Sequence, residues 1–104
     1  MKYAADLVQL HIDERIERLR GEALSRGIPV ADNETLNYLL LMISATQPKR
    51  ILEVGTAVGL SAAAMLTRLP ETHVTTIELE EERYAEAKRN FASLGLLDRV
   101  TCYL

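Results

Sequence analysis

Arg50 to Ser61 reads RILEVGTAVGLS, and this stretch decides the fold. Ile51, Leu52 and Val54 form a short apolar run of strand length. Gly55 breaks it directly. Gly59 then opens LSAAAMLTRL, a compact alanine-rich helix that Pro70 stops. Alanine lets such a helix pack close to a sheet. A strand that breaks into a glycine turn and becomes a helix leaves backbone N–H groups exposed, and that arrangement suits a small-molecule ligand. Two glycines four apart are weak evidence alone, because any tight βα turn could carry them.

The pattern repeats downstream. HVTTIEL (73–79) is a second strand with β-branched residues. Residues 80–95 form a second crossover helix with Tyr84, Ala87, Phe91 and Leu94 facing inward. Its acidic first turn complements the helix dipole, and Gly95 closes it. RVTCYL (99–104) reads as a third strand. Upstream, Ala5, Val8, Ile12, Ile16, Leu19 and Ala23 recur at helical spacing and predict an amphipathic helix over 3–26. Gly27 is its C-cap and Pro29 lies beyond. Asp32 or Asn33 caps a second helix over 33–46, carrying Leu36, Leu39, Leu40 and Ile43.

The order α-α-β-α-β-α-β has crossovers of the length that parallel strands require. It predicts an α/β chain with one domain over 1–104, divided into leading helices (1–47) and a βαβαβ half (48–104). The strands are expected in the order 3-2-1, as the N-terminal half of a doubly wound, Rossmann-like sheet. The first strand would then be an open edge, blunted only by Glu53. A fourth strand is expected to be missing, which makes the chain a truncated domain. The alternative is a natural mini-domain, or one that completes its sheet with another copy.

The chain has 104 residues and a formal net charge of −3, which argues against a dedicated nucleic-acid platform. A single cysteine, Cys102, cannot form an internal disulfide, so a reducing, cytoplasmic setting is expected. No signal peptide opens the chain, and no apolar run approaches the roughly 20 residues that span a bilayer. Arg15, Arg18, Arg20 and Arg26 are offset by Asp13, Glu14, Glu17 and Glu22. Pairs such as Glu14–Arg18 and Glu22–Arg26 predict a salt-paired, solvated helix face.

Gly55 can take a positive φ or admit a ligand to its backbone, and Gly59 permits close packing between turn and helix. Ser61 adds a hydroxyl in the first helical turn. A dinucleotide fingerprint fails at Ala57 and Leu60, and a phosphate-binding Walker loop fails for want of lysine. The remaining fit is a nucleoside ligand with a carboxylate or amine end. Glu78 closes the second strand, where a carboxylate can accept both hydroxyls of a ribose; a capping or solvated glutamate is the bland reading. Glu53 stands in an apolar strand, where an unpaired carboxylate is costly. It is expected to accept N–H groups of the turn or to face a ligand ammonium, unless it is merely an acid on an exposed edge.

ILEVGTAVGLSAAAML followed by VTTIELEEERYAEAKRNF resembles the S-adenosylmethionine-dependent O-methyltransferases of the metal-dependent catechol and caffeoyl-coenzyme A type. The nearer resemblance is to their bacterial branch, which includes tRNA 5-hydroxyuridine methyltransferases. GIPVADNETLNYLLLMISATQPKR resembles the same branch. The resemblance implies a class I methyltransferase fold and roles by position. Glu53 orients the methionine amino end and the turn. Gly55, Thr56 and Gly59 shape the loop around the cofactor. Ser61 bonds the methionine carboxylate, Glu78 holds the ribose, and Val30 lies over the methionine part. Leu60 stands where some relatives have tyrosine.

In that family a divalent cation such as magnesium holds the acceptor hydroxyl, through ligands placed after later strands. Here His11 and His73 have no partner at ligand spacing, and Cys102 has no base with a reason to be near it. No catalytic or metal residue is therefore assigned, and the 104-residue chain is expected to be inactive in methyl transfer. Expected partners are S-adenosylmethionine or S-adenosylhomocysteine, tRNA for the parent enzyme, a second copy, and no membrane. The competing function is a non-catalytic, self-associating α/β interaction module. A dehydrogenase fragment stands third, disfavoured by Ala57 and Leu60.

Overall fold

The computed structural model describes residues 12–104. The expectations for residues 3–11, including Ala5, Val8 and His11, lie outside the described residues.

Helix α1 spans Glu14–Ser25. It does not run through from before Ile12 as the periodicity suggested. Asp13 takes φ −53°, ψ 133° and accepts the Arg15 N–H at 2.8 Å, so it is an N-cap. A side chain that caps competes with the helix it would otherwise extend. Gly27, at φ +73°, terminates the helix in the left-handed conformation expected of it. Helix α2 spans Asn33–Thr46, capped by Asp32 on the Thr35 N–H at 2.7 Å. Arg26 makes its salt bridge with Glu86, on the last helix, and the charge of Glu22, its expected partner, supports it at longer range.

Strands β1 (Arg50–Val54), β2 (His73–Ile77) and β3 (Val100–Tyr103) alternate with helices α3 (Leu60–Arg68) and α4 (Glu81–Ser93). A 3-10 turn over Leu97–Arg99 leads into β3. The sheet order is β1-β2-β3, both pairs parallel, with Glu53 opposite Thr76 and Thr76 opposite Cys102. The result is an α/β, Rossmann-like arrangement with leading helices.

The core lies on one face of this sheet. Ile16 of α1, Leu40 of α2, Leu66 of α3, Val74 of β2 and Phe91 of α4 are fully buried. Ala62, Ala63 and Ala64 let α3 sit close between the leading helices and β2. Ala87, Phe91 and Leu94 face inward as expected. Tyr84 is only half-buried, with the Lys88 ammonium 5.3 Å from its ring centre.

Strand side chains alternate between faces, and the other face is bare. Leu52 is 67% exposed and Val54 80%, with Ile77 and Tyr103 exposed beside them. Among the described residues β1 pairs only with β2, so it is an open edge, as expected.

Candidate functional site

The turn after β1 is built from left-handed residues. Gly55 has φ +91° and Gly59 φ +89°, while Ala57 is held at φ +49°. A non-glycine residue there costs about 1–2 kcal/mol, so something must fix Ala57. Glu78 does: its Oε1 accepts the Ala57 N–H at 2.7 Å, and its Oε2 accepts the Glu80 N–H at 2.8 Å. The Gly55 and Thr56 N–H groups bond the Ile77 carbonyl at 2.8 and 3.2 Å, which brings the ends of β1 and β2 together.

Gly55 and Gly59 differ in kind. A side chain at Gly55 would meet open space, so its backbone conformation alone demands glycine. A Cβ at Gly59 would stand 2.8 Å from the Phe91 ring. Gly59 therefore sits behind the turn, packed on α4. Asn90 of α4 adds a hydrogen bond to the Val58 carbonyl at 2.8 Å.

In front of the turn lies a cavity of about 310 Å³, walled by α1, the 29–31 loop, the glycine turn and the start of α3. Val30, Gly55, Thr56 and Ser61 all line it. Glu78 adjoins it through Ala57. Glu53 and Gly59 do not line it. A larger cleft of about 520 Å³ lies at the opposite end of the strands, beside Ser44, Gln47 and Arg68, remote from the turn.

Of the two roles the sequence allows Glu53, taking turn N–H groups or facing a ligand ammonium, the first is not seen: the Ala57 N–H goes to Glu78 and those of Gly55 and Thr56 to the Ile77 carbonyl. Glu53 instead accepts the Thr76 hydroxyl at 2.8 Å, and Thr76 in turn lies 2.6 Å from the buried Thr56 hydroxyl. A relay of hydroxyls thus joins Glu53 to the cavity wall.

Burial pushes the Glu53 carboxyl above its ordinary range, with the Thr76 hydroxyl opposing. Burial also pushes Glu78 upward, but the N–H groups of Glu80, Ala57 and Leu79, with Arg83 near, more than reverse it and hold it low. The two acids are therefore driven in opposite directions.

The sign for Glu53 follows. A carboxyl raised by folding binds its proton more tightly when folded, so its contribution is favourable in acid and is lost as pH rises through the raised value. Glu53→Gln is expected to melt a few degrees above the parent near pH 7 and equally near pH 4, in thermal unfolding scanned across pH. A parent chain that is the more stable near pH 7 would mean that ionised Glu53 supports the fold.

His73 Nε2 lies 2.8 Å from the Thr101 hydroxyl, and Cys102 is half-buried with its thiol pushed up by burial, so both sit in structural surroundings. Among the described residues no three His, Cys, Asp or Glu side chains are grouped to hold a metal ion. Among the same residues no helix is long and apolar enough to cross a membrane.

Sequence reasoning missed Arg20, which lines the cavity. Its Nη2 and Nε donate to the Ala31 carbonyl at 3.0 and 3.3 Å. On the sequence it is one charge among many on a solvated helix, and only its spacing to the 28–32 loop could have marked it.

Comparison with known proteins points to methyltransferases, among them a release factor glutamine methyltransferase of Enterococcus faecalis, 31% identical over 86% of this chain and 36% of that protein. Residues 9–102 match the O-methyltransferase family. A probable O-methyltransferase of Mycobacterium tuberculosis, Rv1703c, is 35% identical over 105 residues, covering 95% of this chain and 45% of that protein. A Staphylococcus aureus structure provisionally named a caffeoyl-CoA O-methyltransferase superposes with a TM-score of 0.86 at 36% identity, covering 97% of this chain and 48% of that one. A Bacillus cereus O-methyltransferase in complex with SAH superposes with a TM-score of 0.78 at 25% identity, covering 97% and 47%. The chain spans less than half the length of each of these relatives.

Proposed function

The chain belongs to the O-methyltransferase family, and from that premise we propose that it is the cofactor-binding part of an S-adenosylmethionine-dependent O-methyltransferase. One observation carries this reading. Glu78, at the end of β2, accepts the Ala57 N–H of the glycine turn after β1, so a carboxylate stands directly behind the backbone bend that lines the cavity. Glu78 accepts the Ala57 and Glu80 N–H groups on separate oxygens, and the acceptor capacity left on its carboxylate suits the hydroxyls of a ribose. The Ser61 hydroxyl and the first N–H groups of α3 suit the methionine carboxylate. Glu53 acts at one remove, orienting Thr56 through Thr76.

The cofactor supplies the transferable methyl group when bound. The acceptor proposed for the intact enzyme is a hydroxyl of a tRNA uridine derivative or of a small catechol-like molecule. Divalent-metal ligands for that hydroxyl would come from outside residues 12–104. In this reading the sheet is the 3-2-1 half of a doubly wound fold, the intact enzyme is a cytoplasmic homo-oligomer, and the 104-residue chain binds without turnover. Calorimetry of the purified chain with S-adenosylhomocysteine tests the proposal. Saturable binding that is lost in Glu78→Ala supports it, and no saturable heat sinks it.

The bare sheet face favours a second reading, a self-associating module. Contiguous exposed apolar surface marks an interaction site, and Leu52, Val54, Ile77 and Tyr103 supply it. Sedimentation is expected to show concentration-dependent association that Val54→Asp abolishes. A monomer at all concentrations would remove this reading.

A further inference from the structure

We propose that Arg20 is a specificity determinant of the cavity, reading the carboxylate at the amino-acid end of the ligand. The inference rests on the cofactor reading above and deepens it. Arg20 is the charged side chain among the described residues that line the cavity. Its guanidinium is anchored there, because Nε and Nη2 both donate to the Ala31 carbonyl. A guanidinium has five N–H donors in a fixed fork. The Ala31 carbonyl takes two, and the rest suit the planar oxygens of a carboxylate.

Placement agrees with chemistry. Arg20, on α1, shares the cavity with Ser61, at the start of α3. Glu78 lies across the turn, behind Ala57. The cavity thus has a cationic wall, with a carboxylate set beside it behind Ala57. A nucleoside bearing an amino acid has a carboxylate for that wall and hydroxyls for Glu78. Asp32 feels the Arg20 charge, but it is exposed, and its Oδ1 accepts the Thr35 N–H at 2.7 Å. Fastening the 29–31 loop and reading the ligand are two tasks of one side chain, and they can be separated.

The experiment compares two ligands on the full chain. S-adenosylhomocysteine carries the carboxylate, and 5′-methylthioadenosine keeps the nucleoside and thioether without it. Arg20→Met is expected to weaken S-adenosylhomocysteine about 10- to 100-fold, the worth of a charge-assisted hydrogen-bonded pair. Methylthioadenosine affinity should not change. Arg20→Lys should recover part of the loss, since it restores charge without the fork. Added salt should weaken S-adenosylhomocysteine for the parent chain more than for Arg20→Met. Thermal unfolding of each variant shows whether the fold is intact.

Equal weakening of both ligands, or none of either, overturns the inference and leaves Arg20 a loop fastener, while Glu78→Ala still abolishes binding. A parent chain that binds neither ligand overturns the cofactor reading and this inference together.

Discussion

Gly59→Ala is expected to destabilise the fold by about 2–5 kcal/mol, summing left-handed strain with overpacking. That is a large fraction of the roughly 5–15 kcal/mol that holds a domain together. The new Cβ would stand 2.8 Å from two atoms of the Phe91 ring, and Phe91 is fully buried and cannot swing aside. The strain at φ +89° comes in addition. Gly55→Ala is the control: it carries strain at φ +91° with nothing within 4 Å of the added atom. It should cost only about 1–2 kcal/mol. Urea unfolding measures both. Gly59→Ala combined with Phe91→Leu should lose less than the sum of the single changes, because the clash and the ring share one contact. Equal costs at Gly55 and Gly59 would contradict the packing account.

Glu78→Ala is expected to lower S-adenosylhomocysteine affinity at least about 100-fold, since it removes both proposed ribose acceptors at roughly 1.5–3 kcal/mol each. It should also cost about 1 kcal/mol of stability by leaving part-buried N–H groups without acceptors. Those N–H groups are on Ala57 and Glu80. Glu78→Gln keeps one acceptor oxygen and turns an amide toward the other N–H, so its loss should be intermediate. The pH dependence runs opposite to that of Glu53. A carboxyl held low in the fold contributes stability above its ordinary range and loses it as pH falls through the lowered value. Acid unfolding should therefore begin later in Glu78→Ala relative to its own neutral-pH stability. Calorimetry and acid titration check the two parts separately.

Much of this was legible in the residues. The α2 boundaries, the three strands and the Gly55 bend follow from local rules: a cap at Asp32, apolar runs, and glycine where φ is positive. What was not legible depends on geometry across elements. Helical spacing ran through Asp13 because periodicity cannot tell a polar helix position from a cap. Arg26 was matched with Glu22 one turn away, yet Glu86 is brought to it only by the folding of α4. The roles of Glu53 and Glu78 depended on which carboxylate the β1–β2 register turns toward the Ala57 N–H. The hydroxyls of Thr56 and Thr76 meet for the same reason, and no sequence pattern marks them.

The turn is gripped from behind by α4, through the Gly59 contact with Phe91 and the Asn90 bond to Val58. Front and back of the turn are therefore tied to one another. A ligand entering the cavity meets backbone groups already fixed in direction, so the entropy of ordering them was lost during folding and is not charged against affinity.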